Sequence, residues 1–228
     1  MSKVAIITAR GGSKRIPKKN IKEFCGKPII AYSILAALES HVFDEVMVST
    51  DSEEIAEVAK RYEANVPFLR SEATSNDYAT TADVIAEVLN KYEETNKHFE
   101  AFACIYPTAP FVKGNRLAEA ADLLDEADAV ISVVKYSFPP QRAFVIREGI
   151  VSYQYPQYEW TRSQDLESIY HDCGQFYICK TDVFKEHHSL ILPKTRPYIM
   201  PEEEVQDIDT MSDWVIAEAK YTVLHSEV

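Results

Sequence analysis

No stretch of this 228-residue sequence approaches the ~20 consecutive apolar residues that a membrane-spanning helix requires. Nor does it open like a secretory leader: a single lysine, Lys3, precedes a short apolar run that ends in a charged loop. The expectation is a cytoplasmic protein with no membrane partner. Cysteine is sparse. Cys25, Cys104, Cys173 and Cys179 form no CxxC pair and have no histidine at zinc spacing, so they read as reduced structural thiols. A broad basic face is missing too. With 36 acids against 24 lysines and arginines, the net charge is −12, which argues against general nucleic-acid binding.

What is present is an ordinary globular complement, 46% apolar, in a length that suits one domain over residues 1–228. Val4 to Ala9 is a β-branched apolar run and reads as a buried strand. Ile29 to Leu38 has helical spacing, with Pro28 in its first turn. Strands are then expected at Glu45–Ser49, Val66–Leu69, Ala101–Tyr106 and Ala129–Val134. Helices are expected after Asp51 or Ser52 as a cap, at Ala82–Tyr92 and near Leu117–Leu124. This alternation implies an α/β fold with a mostly parallel sheet and helices on both faces. From Lys135 to Gln164 the pattern breaks into Pro, Tyr and Arg with short alternating pieces, which reads as an inserted β-rich flap or dimerisation arm. Order resumes at "GQFYIC", and a helix from Ser212 to Leu224 closes the chain.

The positive charge is concentrated in one place. "TARGGSKRIPKKN", Thr8 to Asn20, holds Arg10, Lys14, Arg15, Lys18 and Lys19 before the first acid, Glu23. A Gly-rich loop after a strand turns backbone N–H groups toward phosphate oxygens, and nearby cations add charge. Neither GxxxxGKS/T nor GxGxxG is present, so the loop is neither a Walker A loop nor a dinucleotide fingerprint. Following the first strand, it lies at the carboxyl end of the sheet, where such folds bind ligands. A compact anion is the expected ligand; the plain alternative is a solvated basic turn.

"ARGGSKRIPKKN" resembles the opening signature of the sialic-acid-type cytidylyltransferases, which make CMP-activated nonulosonic acids from CTP. The likeness continues in order through "GKPIIAYSI", "VSTDSEEIAEVAKRY", "VPFLRSEATSND", "YPTAP" and "QDIDT". "WTRSQDLESIYHDCGQFYI", Trp160 to Ile178, is similar to the pseudaminic acid branch, and Tyr106 stands where N-acetylneuraminate enzymes often carry Gln. Thr8, where Pro is common, and Cys173, where Ala is expected, are departures that remove no charged group. The resemblance implies a Rossmann-like nucleotidyltransferase fold.

It also implies roles. Arg10 and Lys19 are expected to contact the triphosphate and act in catalysis, with Ala9, Gly11, Gly12, Ser13 and Lys14 completing the cradle. Asn20 would read the cytidine moiety, although its type equally suits a turn. Arg70 resembles the arginine that contacts cytosine; otherwise it is a surface arginine at a strand end. Thr80 and Thr81, with Asp77, complete a base pocket or merely cap the next helix. Asp207 and Asp209, two apart in an extended segment, lean to one side while Ile208 packs behind. The resemblance makes them ligands of Mg²⁺, with Asp209 also catalytic; alone they would pass for acids at a helix entry. A sugar acid needs a fixed cation, for which Arg142 and Arg162 are the candidates. Tyr106, His171, Gln175 and Phe176 would line the same pocket, alongside Asp172 and Tyr177.

The reaction expected from the resemblance is CMP transfer from CTP to the anomeric hydroxyl of pseudaminic acid, releasing pyrophosphate. The partners are CTP and a nine-carbon sugar acid, and the assembly a homodimer. Nearby alternatives are the same chemistry on N-acetylneuraminate, legionaminate or 3-deoxy-manno-octulosonate. A distant one is a non-catalytic polyanion-binding module, which would show salt-sensitive binding without turnover.

Overall fold

The first half of the chain folds as β1 (Lys3–Thr8), a β2–β3 hairpin (Glu23–Phe24 and Lys27–Pro28), α1 (Ile29–Glu39), β4 (Glu45–Ser49), α2 (Glu53–Arg61), α3 (Glu72–Ser75), α4 (Thr81–Glu94) and β5 (Ala101–Ile105). It continues with α5 (Gly114–Asp122), β6 (Ala129–Lys135), a β7–β8 hairpin (Phe144–Arg147 and Ile150–Tyr153), β9 (Tyr170–Lys180), α6 (Thr181–His187), β10 (Thr195–Ile199) and α7 (Met211–His225). These elements are those of a computed structural model, which describes residues 1–226.

Six strands form one sheet in the order β10-β6-β9-β5-β1-β4. The pairs β1/β4, β1/β5 and β10/β6 are parallel, while β9 runs antiparallel between β5 and β6. The pleat of β1 explains the layers. Ala5 and Ile7 face one side with Ile30 and Ile34 of α1, whereas Val4 and Ile6 face the other with Ile85, Val88 and Leu89 of α4. Burial on both faces accounts for the continuous apolar strands. A third cluster packs Phe24 and Ile208 against Trp214 of α7, so the "DID" stretch is nailed to the core through its middle residue.

Local chemistry sets the ends. Ser52 caps α2 by accepting from Ile55 N at 3.4 Å, and Thr80 with Asp83 forms a capping box on α4. α5 begins against the end of α1, where a Cβ on Gly114 would lie 2.8 Å from the Glu39 carbonyl carbon.

Several boundaries differ from the expectation. Val66–Leu69 is not a strand: Asn65 alone bridges β4, at Met47, and Pro67 has no N–H to continue a ladder. β4 is therefore the edge. Pro28 is the N-cap of α1 rather than part of its first turn. α5 stops at Asp122 and tightens into a 3₁₀ turn over Leu123–Glu126. The β2–β3 hairpin, α3, α6 and β10 have no counterpart in the sequence pattern; β10 carries Pro197 at the other edge, where a missing donor is tolerated. Within residues 135–164 the insertion contains β7–β8 and short 3₁₀ turns, and it leaves Phe138, Ile146, Ile150 and Trp160 exposed. Among the described residues, no helix is long and apolar enough to cross a membrane.

Candidate active site

The carboxyl ends of β1, β4 and β5 bring three loops together, as the parallel topology dictates. From β1 comes the basic loop. Its backbone is held from both sides: Asn20 Nδ2 donates to Arg10 O at 2.9 Å, and Gly11 N donates to Asp51 Oδ1 at 2.7 Å. A Cβ on Gly11 would come within 3.2 Å of Ser52 Cβ, so glycine permits this approach.

Three of the expected amide donors are already engaged. Ala9 N donates to Ser49 O at 2.9 Å, Gly11 N to Asp51, and Ser13 N to Gly11 O at 3.0 Å. Ala9 is fully buried. Its place in the cradle is corrected to a backbone anchor, because its N–H belongs to the β4 junction. The Gly12 N–H, which has no bond among the described residues, stays beside the loop's side chains as a donor for an anion.

Arg10, Ser13, Lys14, Arg15, Lys19 and Asn20 line a cavity of ≈ 390 Å³, closed by Tyr106, Pro107, Thr108 and Asp209. A second cavity of ≈ 500 Å³ adjoins it, lined by Lys135, His171, Asp172, Gly174, Asp207 and Lys220 among others. Tyr106 belongs to both walls. It is clamped by its own backbone: Tyr106 N donates to Gln175 O at 2.9 Å, and Ser33 Oγ donates to Tyr106 O at 2.7 Å. The two aspartates divide between the cavities, Asp207 in the larger and Asp209 in the smaller.

Every cation of the basic loop has an acidic partner. Arg10 Nη1 lies 2.7 Å from Asp77 Oδ1, and Lys14 Nζ bonds the other oxygen of the same carboxylate. Arg15 Nη2 lies 2.7 Å from Asp209 Oδ1; Lys18 pairs with Glu54 at 2.8 Å. Lys19 Nζ donates to Ile208 O at 2.8 Å and stands 3.6 Å from Asp209. The bonds from Lys14 and Arg10 hold the Asp77 carboxyl below its ordinary range. Asp207 goes the other way: burial and the neighbouring Asp209 push it up, and Lys19 only partly offsets them.

The aspartate segment is fixed at its exit by a second capping box. Asp213 Oδ2 accepts from Thr210 N at 2.7 Å and Thr210 Oγ1 at 2.8 Å, and also from Asp209 N at 3.1 Å. Two carboxylates are a partial metal set; among the described residues no group of three or more His, Cys, Asp or Glu converges. That suits Mg²⁺, which takes one or two carboxylates and completes its shell with phosphate oxygens and water. The raised Asp207 carboxyl is the charge such a cation would relieve.

Other expected residues fall elsewhere. Arg70 is buried at the end of β4, with Nε 3.1 Å from Ser49 Oγ and Nη2 2.6 Å from Ser49 O; burial lowers its pKa. Thr80 is spent on its cap, whereas the Thr81 hydroxyl stands beside the Tyr106 phenol. Phe176 is corrected from pocket wall to core: it is fully buried, its ring 5.8 Å from Tyr198. Gln175 is likewise corrected, being buried with Nε2 donating to Glu204 O at 2.6 Å, which ties β9 to the segment before Asp207. Arg142 and Arg162 do not reach either cavity of this chain. Arg142 Nη1 contacts Ser163 Oγ at 3.4 Å within the insertion, and Arg162 Nε pairs with Asp165, just past its end, at 2.8 Å. His171 does line the larger cavity, its ring 4.5 Å from that of Tyr136.

Sequence reasoning did not place Asp51, Lys135 or Lys220 at the site. Lys220 Nζ reaches from α7 to Val205 O at 2.9 Å, a position no local motif announces. Asp172 is held facing the larger cavity by Gly174 N at 2.8 Å and by the Tyr177 hydroxyl.

The chain matches the family model described as Cytidylyltransferase over residues 4–196. It is 39% identical to a pseudaminic acid cytidylyltransferase of Campylobacter jejuni, covering 99% of this chain and 98% of that protein. It is 35% identical to a CMP-N,N'-diacetyllegionaminic acid synthase of Legionella pneumophila, covering 94% of each. Among solved structures, a CMP:2-keto-3-deoxy-manno-octonic acid synthetase complexed with CTP superposes with a TM-score of 0.71 at 17% identity, over 98% of this chain and 100% of the other. The last likeness concerns the fold; the match over residues 4–196 and the full-length relatives decide the rest, and this chain belongs to the cytidylyltransferase family.

Proposed function

We propose that this cytidylyltransferase moves CMP from CTP to the anomeric hydroxyl of pseudaminic acid, releasing pyrophosphate. The observation that carries the reading is the double cavity. A lobe lined by Arg10, Lys14 and Lys19 meets a second lobe at Tyr106, with one aspartate of the "DID" segment in each. The first lobe has the charge for a triphosphate, and the second has the room for a sugar acid. The pseudaminic assignment follows the Campylobacter relative and the stretch Trp160–Ile178.

In this reading Arg10, Lys14 and Lys19 hold the triphosphate and neutralise the charge that develops on departing pyrophosphate. Arg70, its Nε and Nη2 bonded to Ser49 and its side chain outside the walls of both cavities, would serve the cytosine only through Nη1. Asn20 keeps the loop in shape from beneath. Asp207 and Asp209 would hold Mg²⁺, which when bound polarises the α-phosphate and lowers the pKa of the attacking hydroxyl. Releasing Asp209 from Arg15 and Lys19 frees both cations for phosphate oxygens. The sugar hydroxyl gives up its proton to solvent and forms the new O–P bond as the bond to pyrophosphate breaks, and no covalent enzyme intermediate is involved. Lys135, Lys220 and His171 are the cationic or ionisable donors that this chain offers to the sugar carboxylate.

The insertion suits a homodimer. Its exposed Phe138 (88%) and Trp160 (90%) are the surface a second copy would cover. Arg142 and Arg162 would serve a sugar lobe only by crossing to that second copy. A cytoplasmic location accompanies the use of CTP. The test is pyrophosphate release from CTP and Mg²⁺ with pseudaminic acid, beside N-acetylneuraminate, N,N'-diacetyllegionaminate and 3-deoxy-manno-octulosonate. Preferred turnover of pseudaminic acid supports the assignment; preferred turnover of another acid keeps the chemistry and moves the specificity. No turnover with any of the four refutes the reading.

A further inference from the structure

Asp77 neither caps α4, where Thr80 and Asp83 form the box, nor lines the nucleotide cavity; its carboxylate pairs instead with the basic loop. Its two carboxylate oxygens are divided between two loop cations: Oδ1 takes Arg10 Nη1 at 2.7 Å, and Oδ2 takes Lys14 Nζ. Arg10 Nη1 also donates to Asn76 O at 3.4 Å. A bidentate anion bridging these two cations is what a phosphate group would supply. Asp77 comes from the loop after α3, 63 residues beyond Lys14, so nothing in the sequence around the basic loop provides it.

That loop is built rather than slack. Asn76 Oδ1 accepts from Tyr78 N at 2.8 Å and Ala79 N at 3.0 Å, while Asn76 Nδ2 donates to Ala73 O at 2.7 Å. One step back, Glu87 of α4 accepts from Ser71 N at 2.8 Å and Ser71 Oγ at 2.9 Å. The backbone thus presents Asp77 to the cations, and only its side chain need turn away. All three charged groups stay open to solvent, at 40% for Arg10, 78% for Lys14 and 45% for Asp77, so the partners can exchange with ions. Asp209 also pairs with loop cations, but it has a metal to go to. The Asp77 side chain makes no other hydrogen bond or ion pair among the described residues.

We infer that Asp77 is an internal stand-in for phosphate, a carboxylate that competes with the triphosphate for Arg10 and Lys14 and reclaims them as pyrophosphate leaves. The inference rests on the proposed use of that loop for CTP. Its consequence is a tuned affinity. A polyphosphate with several charges displaces one carboxylate, whereas the carboxylate, always present at high local concentration, weakens the hold on the product. An organising role would have the opposite sign, since Asp77 would then support the cations and its loss would weaken anion binding.

The measurement is calorimetric binding of pyrophosphate, CTP and cytidine to wild type, Asp77→Asn and Asp77→Ala, at low and at physiological ionic strength. Asparagine keeps the shape and leaves the Asn76 turn intact, and a melting curve for each variant confirms folding. Expected is pyrophosphate and CTP binding tighter by roughly two- to ten-fold at low salt, the scale for two partly exposed ion pairs. Cytidine, which carries no phosphate, should bind unchanged, and pyrophosphate should inhibit turnover more strongly. Unchanged or weaker pyrophosphate binding by both variants, with wild type still binding it, overturns the inference and leaves the proposed function standing. Failure of wild type to bind either pyrophosphate or CTP overturns both.

Discussion

Arg10→Ala separates a chemical role from a structural one. The backbone of the loop is held by Asn20 on Arg10 O and by Asp51 on Gly11 N, neither of which involves the guanidinium. The side chain itself pairs only with Asp77 and the Asn76 carbonyl, at 40% exposure. Truncation should therefore leave the melting temperature within about 3 °C of wild type, the scale for an exposed substitution in a chain of this size. The catalytic loss should be much larger. A donor aimed at charge that develops on a leaving group is worth roughly 10²–10³ in rate. Continuous pyrophosphate release under saturating sugar acid, with CTP varied, measures it. The expected result is kcat/KM for CTP down by about that factor, with kcat itself reduced because the interaction strengthens in the transition state. An unchanged kcat/KM would remove Arg10 from the mechanism. A fall in activity matched by a melting temperature lowered by ~10 °C or more would show the arginine to be structural instead.

The legible parts of this molecule are those with a local signal. β1, β4, β5 and β6 are continuous apolar runs because both of their faces are covered, and they stand where the pattern puts them. The basic loop is readable for the same reason: five cations within the thirteen residues Thr8–Asn20 need no partner to be noticed. What the sequence hides is decided by pairing at a distance. Val66–Leu69 has strand composition, but Asn65 takes the only bridge to β4. Phe176 looks like a pocket residue by position in its motif. The pleat of β9 turns it inward, while Asp172, four residues earlier and beyond a register shift opposite β6, lines the cavity. Asp77 and Lys220 reach the site from other elements, and no spacing in the chain records that they do.

The charge balance follows from the same geometry. An acidic chain with one basic loop would bind adventitious anions if the loop stood bare. Here Asp77, Asp209 and Glu54 share its five cations, so three carboxylates offset more than half of the loop's charge. Binding then becomes an exchange of partners, which favours ligands with several charges and a companion cation over single anions.

Asp209→Asn should lower kcat/KM by ~10²-fold or more and raise the Mg²⁺ concentration needed for half-maximal rate; an unchanged Mg²⁺ dependence would reject it as a ligand. Trp214→Ala, which empties a buried site against Phe24 at 5.5 Å, should cost about 3–5 kcal/mol in denaturant unfolding; a cost below ~1 kcal/mol would deny the third cluster its role in holding Ile208. Gly114→Ala sets two effects against each other. Alanine favours a helix interior by ~1 kcal/mol, but Gly114 is the first residue of α5, where that gain is small, and its Cβ would meet backbone of Glu39 and Ser40 at 2.8 Å. The clash should win, by roughly 1–3 kcal/mol, and a raised melting temperature would refute the packing described. Glu87 supplies a pH test. Burial raises its carboxyl, but bonds from Lys91, Thr74 and Ser71 outweigh that and bring it from 4.5 to about 2. A depressed acid stabilises the fold above its unfolded pKa and loses that contribution as pH falls through the folded one. Glu87→Gln should therefore melt below wild type at pH 7, with the gap narrowing under pH 4.5 and closing near pH 2. A gap independent of pH would mean that the segment carrying Asp77 is anchored by shape rather than by this charge.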